Sequence, residues 1–215
     1  AKEFGAKKVI QDSSGNAGNS IAAYCAKAGI KCTIYVPENT SSKKINMIKS
    51  TGADVIVVKG SRDHCADVCR QRVEEENIYY ANHVYNPYFY EGTKTYIYEV
   101  YEELKRIPNN IIVPVGNGTL YFGIIKGLEE LLESKVIEKM PQIIAVQSEY
   151  CNPLYRAYIE NKEDIDKLEA RETLAEGIAI AEPKRAKKIL KLAKKYNIKF
   201  VQAREDEIIK SKEEL

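Results

Sequence analysis

The sequence predicts an α/β protein of mostly parallel sheets with helices on both faces. Three observations predict it. Short β-branched runs recur along the 215 residues, amphipathic stretches of helical period separate most of them, and small polar corners join strand to helix. The pattern divides into two three-layer α/β/α units: a small one over 1–84 and an incomplete part of a larger one over 85–215.

Composition narrows the function classes. Lys+Arg number 33 against 31 Asp+Glu, for a net charge of +2. That balance argues against wrapping nucleic acid and leaves room for a small anionic ligand. Five cysteines without a secretory pattern point to free thiols in a reducing, cytoplasmic setting. No apolar run reaches the roughly 20 residues of a spanning helix, so no membrane partner is expected.

Seven strands are expected, at "KKVIQD", "KCTIYV", "ADVIVV", "NIYYA", "NNIIVPV", "QIIAVQ" and "IKFVQA". The first helix begins at Gly15 to Ala17, buries Ile21, Cys25 and Ala28, and stops at Gly29, where a left-handed cap belongs. A second, near Ser41 to Thr51, turns Ile45 and Ile48 inward. A third, Asp63 to Glu76, carries Cys65, Val68, Cys69 and Val73. Eight of the fifteen tyrosines fall between Tyr79 and Tyr101, marking a packed junction. The next helix faces inward through Ile97, Val100, Tyr101 and Leu104. Residues 160–172 are densely charged and suit an exposed connection. "KRAKKILKLAKK" sets Ala186, Ile189, Leu190 and Ala193 opposite its cations, the pattern of a solvated helix covering a sheet. Both ends are abrupt, and the expectation is a fragment or an incomplete fold.

Two corners can hold a ligand. The first is Ser13-Ser14-Gly15-Asn16-Ala17-Gly18, where unbonded amides and the positive end of a helix dipole meet two hydroxyls. The second is "VPVGNGTLYFG", in which Gly116, Asn117, Gly118 and Thr119 follow a strand and open a helix near Leu120. Each could be a well-capped turn and nothing more. Gly15 and Gly18 also fit the end of a dinucleotide fingerprint with Glu38 as ribose acceptor, although Ser13 replaces the first glycine. Neither corner ends in the Gly-Lys-Ser/Thr of a nucleotide-phosphate loop.

Together the corners carry a resemblance. "SSGNAGNSIAAYCAKAGIKCTIYVPENTSSKKINMIKSTGADVIVV", then "EGTKTYIYEVYEEL", "VPVGNGTL" and "TLAEGIAI", resemble in order the fold-type II pyridoxal-phosphate enzymes, closest to threonine synthases and their relatives. The resemblance implies pyridoxal 5'-phosphate as cofactor and a small amino acid as substrate, and it leaves room for a homodimer. It implies that Asn16 holds the ring hydroxyl oxygen and that Ser13, Ser14 and Gly15 receive the substrate carboxylate. Gly116, Asn117, Gly118, Thr119 and Leu120 would cradle the phosphate, with Glu176 and Gly177 beside the ring. In the family the Schiff-base lysine precedes the first corner, and no residue of this chain takes its place. Lys7 and Lys8 lie before the strand, and Lys94 belongs to another motif. The implied activity is elimination or replacement on an amino acid, first of all threonine formation from O-phosphohomoserine. Alternatives are a serine or threonine dehydratase, a Rossmann-like nucleotide module and a non-catalytic binding remnant.

Other signals read as structural. Cys65 and Cys69 stand one helical turn apart beside His64, but only His83 remains as a second histidine and zinc needs about four ligands, so core or surface thiols are expected. His83 and Tyr85 are placed at the border of a substrate cleft.

Overall fold

The computed structural model describes residues 1–169 and 171–214. The chain divides into two compact units, Ala1–Asn86 and Pro87 onward. Each has its own sheet and core.

In the first unit four parallel strands run in the order β3-β2-β1-β4. They are β1 (Lys8–Gln11), β2 (Lys31–Pro37), β3 (Asp54–Val58) and β4 (Tyr79–Tyr80). The helices are α1 (Asn16–Ala28), α2 (Ser42–Lys49) and α3 (Arg62–Glu76). Right-handed crossovers explain the layering: β1 to β2 to β3 moves one way along the sheet, so α1 and α2 share a face. β3 to β4 returns the other way and puts α3 opposite. Two apolar clusters follow, one joining Val9, Ile34 and Val36 to Ala22, Cys25 and Ile48, the other joining Ile10, Tyr35 and Val58 to Cys65 and Cys69.

The expected helices are present with small shifts. Along α1 the fully buried positions are Gly18, Ala22 and Cys25, with Ile21 packed at the margin, so the inward stripe is rotated about one residue from Ile21-Cys25-Ala28. Gly29 caps the helix in the left-handed region at φ 66°. Ser41 caps α2 by accepting from the Lys44 amide. Cys65 and Cys69 are core thiols, and burial pushes Cys65 up to about 11.

The second unit holds parallel strands β5 (Asn110–Pro114), β6 (Gln142–Ser148) and β7 (Lys199–Ala203), in that order. Its helices are α4 (Phe89–Thr93), α5 (Thr95–Leu104), α6 (Thr119–Glu133), α7 (Pro153–Ile159), α8 (Ala186–Lys195) and α9 (Glu205–Glu214). Because β5-β6-β7 advances in one direction, both crossovers fall on the same face. One cluster accordingly gathers Ile111, Val113, Ile143, Ala145 and Phe200 with Ile97, Ile125, Leu154 and Ile189. On the other face Ile112 is 68% exposed and Val201 40% exposed.

Helix α8 buries Ala186, Ile189, Leu190 and Ala193, the four residues its periodicity selects. In α5 Ile97 is fully buried, whereas Leu104 at the helix end is exposed. Gly123 and Gly127 bring α6 hard against Thr93 and Ile97, where a Cβ would overlap either neighbour. That contact fixes the axis of α6, and so the position of its first turn.

Candidate active site

The first corner lies in the first unit. Ser13 is buried, and its Oγ accepts the Gly15 N–H at 3.3 Å. Gly15 enters α1 in an extended conformation with no side-chain cap, so the amides of the first turn are left for another acceptor. Gly18 is required by close approach: a Cβ there would overlap the Ser13 carbonyl oxygen. Asn16, at the first helical position, is exposed, and Ser14 is half-buried. Two further side-chain atoms at this corner are buried without a partner, Nε2 of Gln11 and Oδ1 of Asn19.

A polar brace fixes the base of this corner. Asp12 Oδ1 accepts from the Tyr80 hydroxyl and from Asn82 Nδ2, both at 2.6 Å. Asn82 Oδ1 in turn accepts the Val84 N–H at 2.7 Å. The β1 and β4 ends are thus locked together one residue before Ser13. Burial and the Asp12 carboxylate both push the Tyr80 hydroxyl up, keeping it a neutral donor. His83, in the next loop, is held below the usual histidine range by burial. Glu38 is committed elsewhere, accepting the Gly60 N–H at 2.8 Å.

The second corner, in the second unit, is built more tightly. Gly118 caps α6 at φ 80°, a region other residues enter with strain, and no side chain caps the helix. A Cβ on Gly118 would stand 2.8 Å from Ile189 Cδ1. A Cβ on Gly116 would stand 3.0 Å from Ile180 Cγ1 and 3.2 Å from Ile178 Cα. The Asn117 Oδ1 is buried with no partner. Thr119 begins the helix and its carbonyl accepts the Thr93 hydroxyl at 3.3 Å. Leu120 is half-buried against the core.

Glu176 and Gly177 lie in a short 3-10 turn, Glu176–Ile178, and both are exposed. The residues that follow them cover the Gly116 backbone, so this segment and the second corner are neighbours. Under the loop, fully buried Gln147 donates from Nε2 to the Val115 carbonyl at 3.0 Å. Its Oε1 accepts the Leu154 and Tyr155 amides at 2.9 and 3.0 Å. Neither Gln147 nor the Asp12 brace stands out in the sequence. The one signal for Gln147 is an amide inside the apolar run "IIAVQS", where it must find partners.

Lys94 is no free amine. Its Nζ lies 2.9 Å from Glu130 Oε1 and 2.6 Å from Glu91 Oε2, and these carboxylates hold it well above the usual lysine range. Among the described residues no group of three or more His, Cys, Asp or Glu is arranged to hold a metal. No helix among them is long and apolar enough to cross a membrane.

An uncapped helix start, whose amides are donors, and a glycine loop that excludes side chains fit a phosphorylated organic cofactor. The chain belongs to the pyridoxal-phosphate-dependent enzyme family, whose sequence profile matches residues 1–215. It is 35% identical over 192 residues to a threonine synthase of Methanocaldococcus jannaschii, covering 88% of this chain and 47% of that protein. A threonine synthase of Halalkalibacterium halodurans is 32% identical, with 97% and 56% covered. The chain therefore spans about half the length of these curated relatives. Among solved structures, maize serine racemase superposes with a TM-score of 0.80 at 21% identity, covering 98% of this chain and 60% of that one. The processed form of threonine deaminase isoform 2 from Solanum lycopersicum gives 0.76 at 22%, with 95% and 56% covered. At that identity the likeness carries the fold.

Proposed function

We propose that this chain holds pyridoxal 5'-phosphate through Gly116 to Leu120 and a small amino acid through Ser13 to Gly15, as part of a threonine synthase-like activity that converts O-phosphohomoserine to threonine. The observation that carries the reading is the second corner, where the uncapped amides of a helix start and a loop that excludes side chains coincide. When bound, the cofactor supplies an electron sink for amino-acid carbon chemistry.

The chain's own residues do the rest. The amides of Gly116 to Thr119 and the Thr119 hydroxyl would hold a phosphate where the helix dipole favours it. At the first corner the Ser13 and Ser14 hydroxyls and the Gly15 amide would take a carboxylate, and Asn16 would hold the ring oxygen. The Asp12 brace would orient that corner, where amides and hydroxyls are the groups offered to a carboxylate. Residues 176–180 complete the surroundings of the phosphate loop, with Glu176 and Gly177 beside the ring.

The sequence likeness to threonine synthases favours the synthase over a dehydratase, for which the structural likeness to a racemase and a deaminase offers the fold alone. The test has two parts. Pyridoxal phosphate titrated into the chain should stabilise it as mass action requires, by about 2.7 kcal/mol at one hundred times Kd, and so raise its thermal midpoint. A polypeptide carrying this chain should then release orthophosphate and threonine from O-phosphohomoserine. No thermal response to the cofactor overturns the reading, and ammonia released from threonine or serine instead assigns the dehydratase.

A further inference from the structure

Helix α9 buries none of its residues, so apolar packing does not explain its place. Its first residue does. The Glu205 N–H donates to Glu149 Oε1 at 3.0 Å, and Glu207 accepts the Arg204 N–H at 3.2 Å, so the amides at this helix start are served by other carboxylates. The Glu205 carboxylate is turned instead to the segment before the 3-10 turn. Its Oε1 accepts the Ser148 hydroxyl at 2.7 Å and the Thr173 hydroxyl, and its Oε2 accepts the Leu174 N–H at 3.0 Å. Thr173 Oγ1 accepts the Ala175 N–H at 3.1 Å, and the Ile178 amide donates to the Ala175 carbonyl at 3.0 Å. Two residues later Ile180 meets the Gly116 backbone.

We propose that Glu205 is a positioning residue: with Thr173 and Ser148 it latches residues 174–180 over the phosphate loop and so sets the loop's grip on its ligand. The proposal rests on the cofactor reading above for the ligand, but not for the latch. A carboxylate accepting three donors is a stronger tie than a neutral one, because each bond is charge-assisted. These donors hold Glu205 below the usual carboxylate range, with the Thr173 hydroxyl contributing most.

The experiment compares the wild-type chain with Glu205→Ala, Thr173→Val and Thr173→Ser. Hydrogen exchange over 174–180 without ligand reads the latch, and the Kd for pyridoxal phosphate reads its consequence. Glu205→Ala and Thr173→Val should exchange about tenfold faster and bind about tenfold more weakly, while Thr173→Ser, which keeps the hydroxyl, matches wild type. If Glu205→Ala does not fold, the two threonine variants carry the same comparison. Unchanged exchange in Thr173→Val overturns the latch. Faster exchange with an unchanged Kd overturns the positioning role and leaves a structural clamp. A wild-type chain that takes up no cofactor removes the cofactor reading and with it the loop's ligand, while the exchange data still decide whether the latch exists.

Discussion

Single residues decide whether the second corner can work. Gly118 is the sharpest case, since it combines φ 80° with Ile189 Cδ1 at 2.8 Å from any added Cβ. Gly118→Ala should cost about 1–3 kcal/mol from the backbone term alone and weaken cofactor binding. Urea unfolding and a pyridoxal phosphate titration check this, with Gly92→Ala as the control, where a Cβ meets nothing within 4 Å. The sequence displays Gly118 because a glycine after a strand and before a helix is a local signal. It does not display Gln147 or Glu205. Each is a polar residue whose partners lie elsewhere in the chain, Gln147 bonding to Val115 and Glu205 to Thr173.

At the scale of elements, α8 ties core to site. Its face was legible because a period of 3.6 residues needs no knowledge of the neighbours, and Ala186, Ile189, Leu190 and Ala193 are all buried. What the period does not give is the contact: Ile189 lies against Gly118, and its carbonyl accepts the buried Tyr121 hydroxyl at 3.1 Å. Ile189→Ala should destabilise the second unit by about 2–5 kcal/mol and loosen the loop as well. Exchange over α6 and 115–120 should rise together, whereas Lys191→Ala on the solvated face should change neither. A loss of stability with the loop unmoved would separate the two roles. The α1 stripe shows the limit of periodicity, since Ala22 rather than Ala28 is the buried member. The choice depends on how the helix is rolled against β2, a tertiary fact.

For the whole molecule, acid should act on the two units at different pH. His83, in the first unit, is lowered by burial and by Arg62, with Asp12 opposing. Its unfolded form binds more protons below about pH 6.5, so the stability it contributes is present above that value and falls as pH drops through it toward the folded value. Glu205, in the second unit, is lowered by its donors. Its contribution is present above the unfolded value of about 4.3 and is lost as pH falls through the folded one. Exchange at pH 7.5, 5.5 and 4 should therefore loosen the first unit before the 174–180 segment, and simultaneous loosening at 5.5 would contradict this. The sequence by itself determined the parallel α/β class, the seven strands, and the two glycine and serine corners, because strand period, helix period and turn chemistry are local properties of the chain. Only the tertiary structure decided the strand orders, and hence which helices share a face, and the carboxylate and amide partners that brace each corner. Crossover direction and long-range hydrogen bonds join residues whose separation in sequence leaves no local trace.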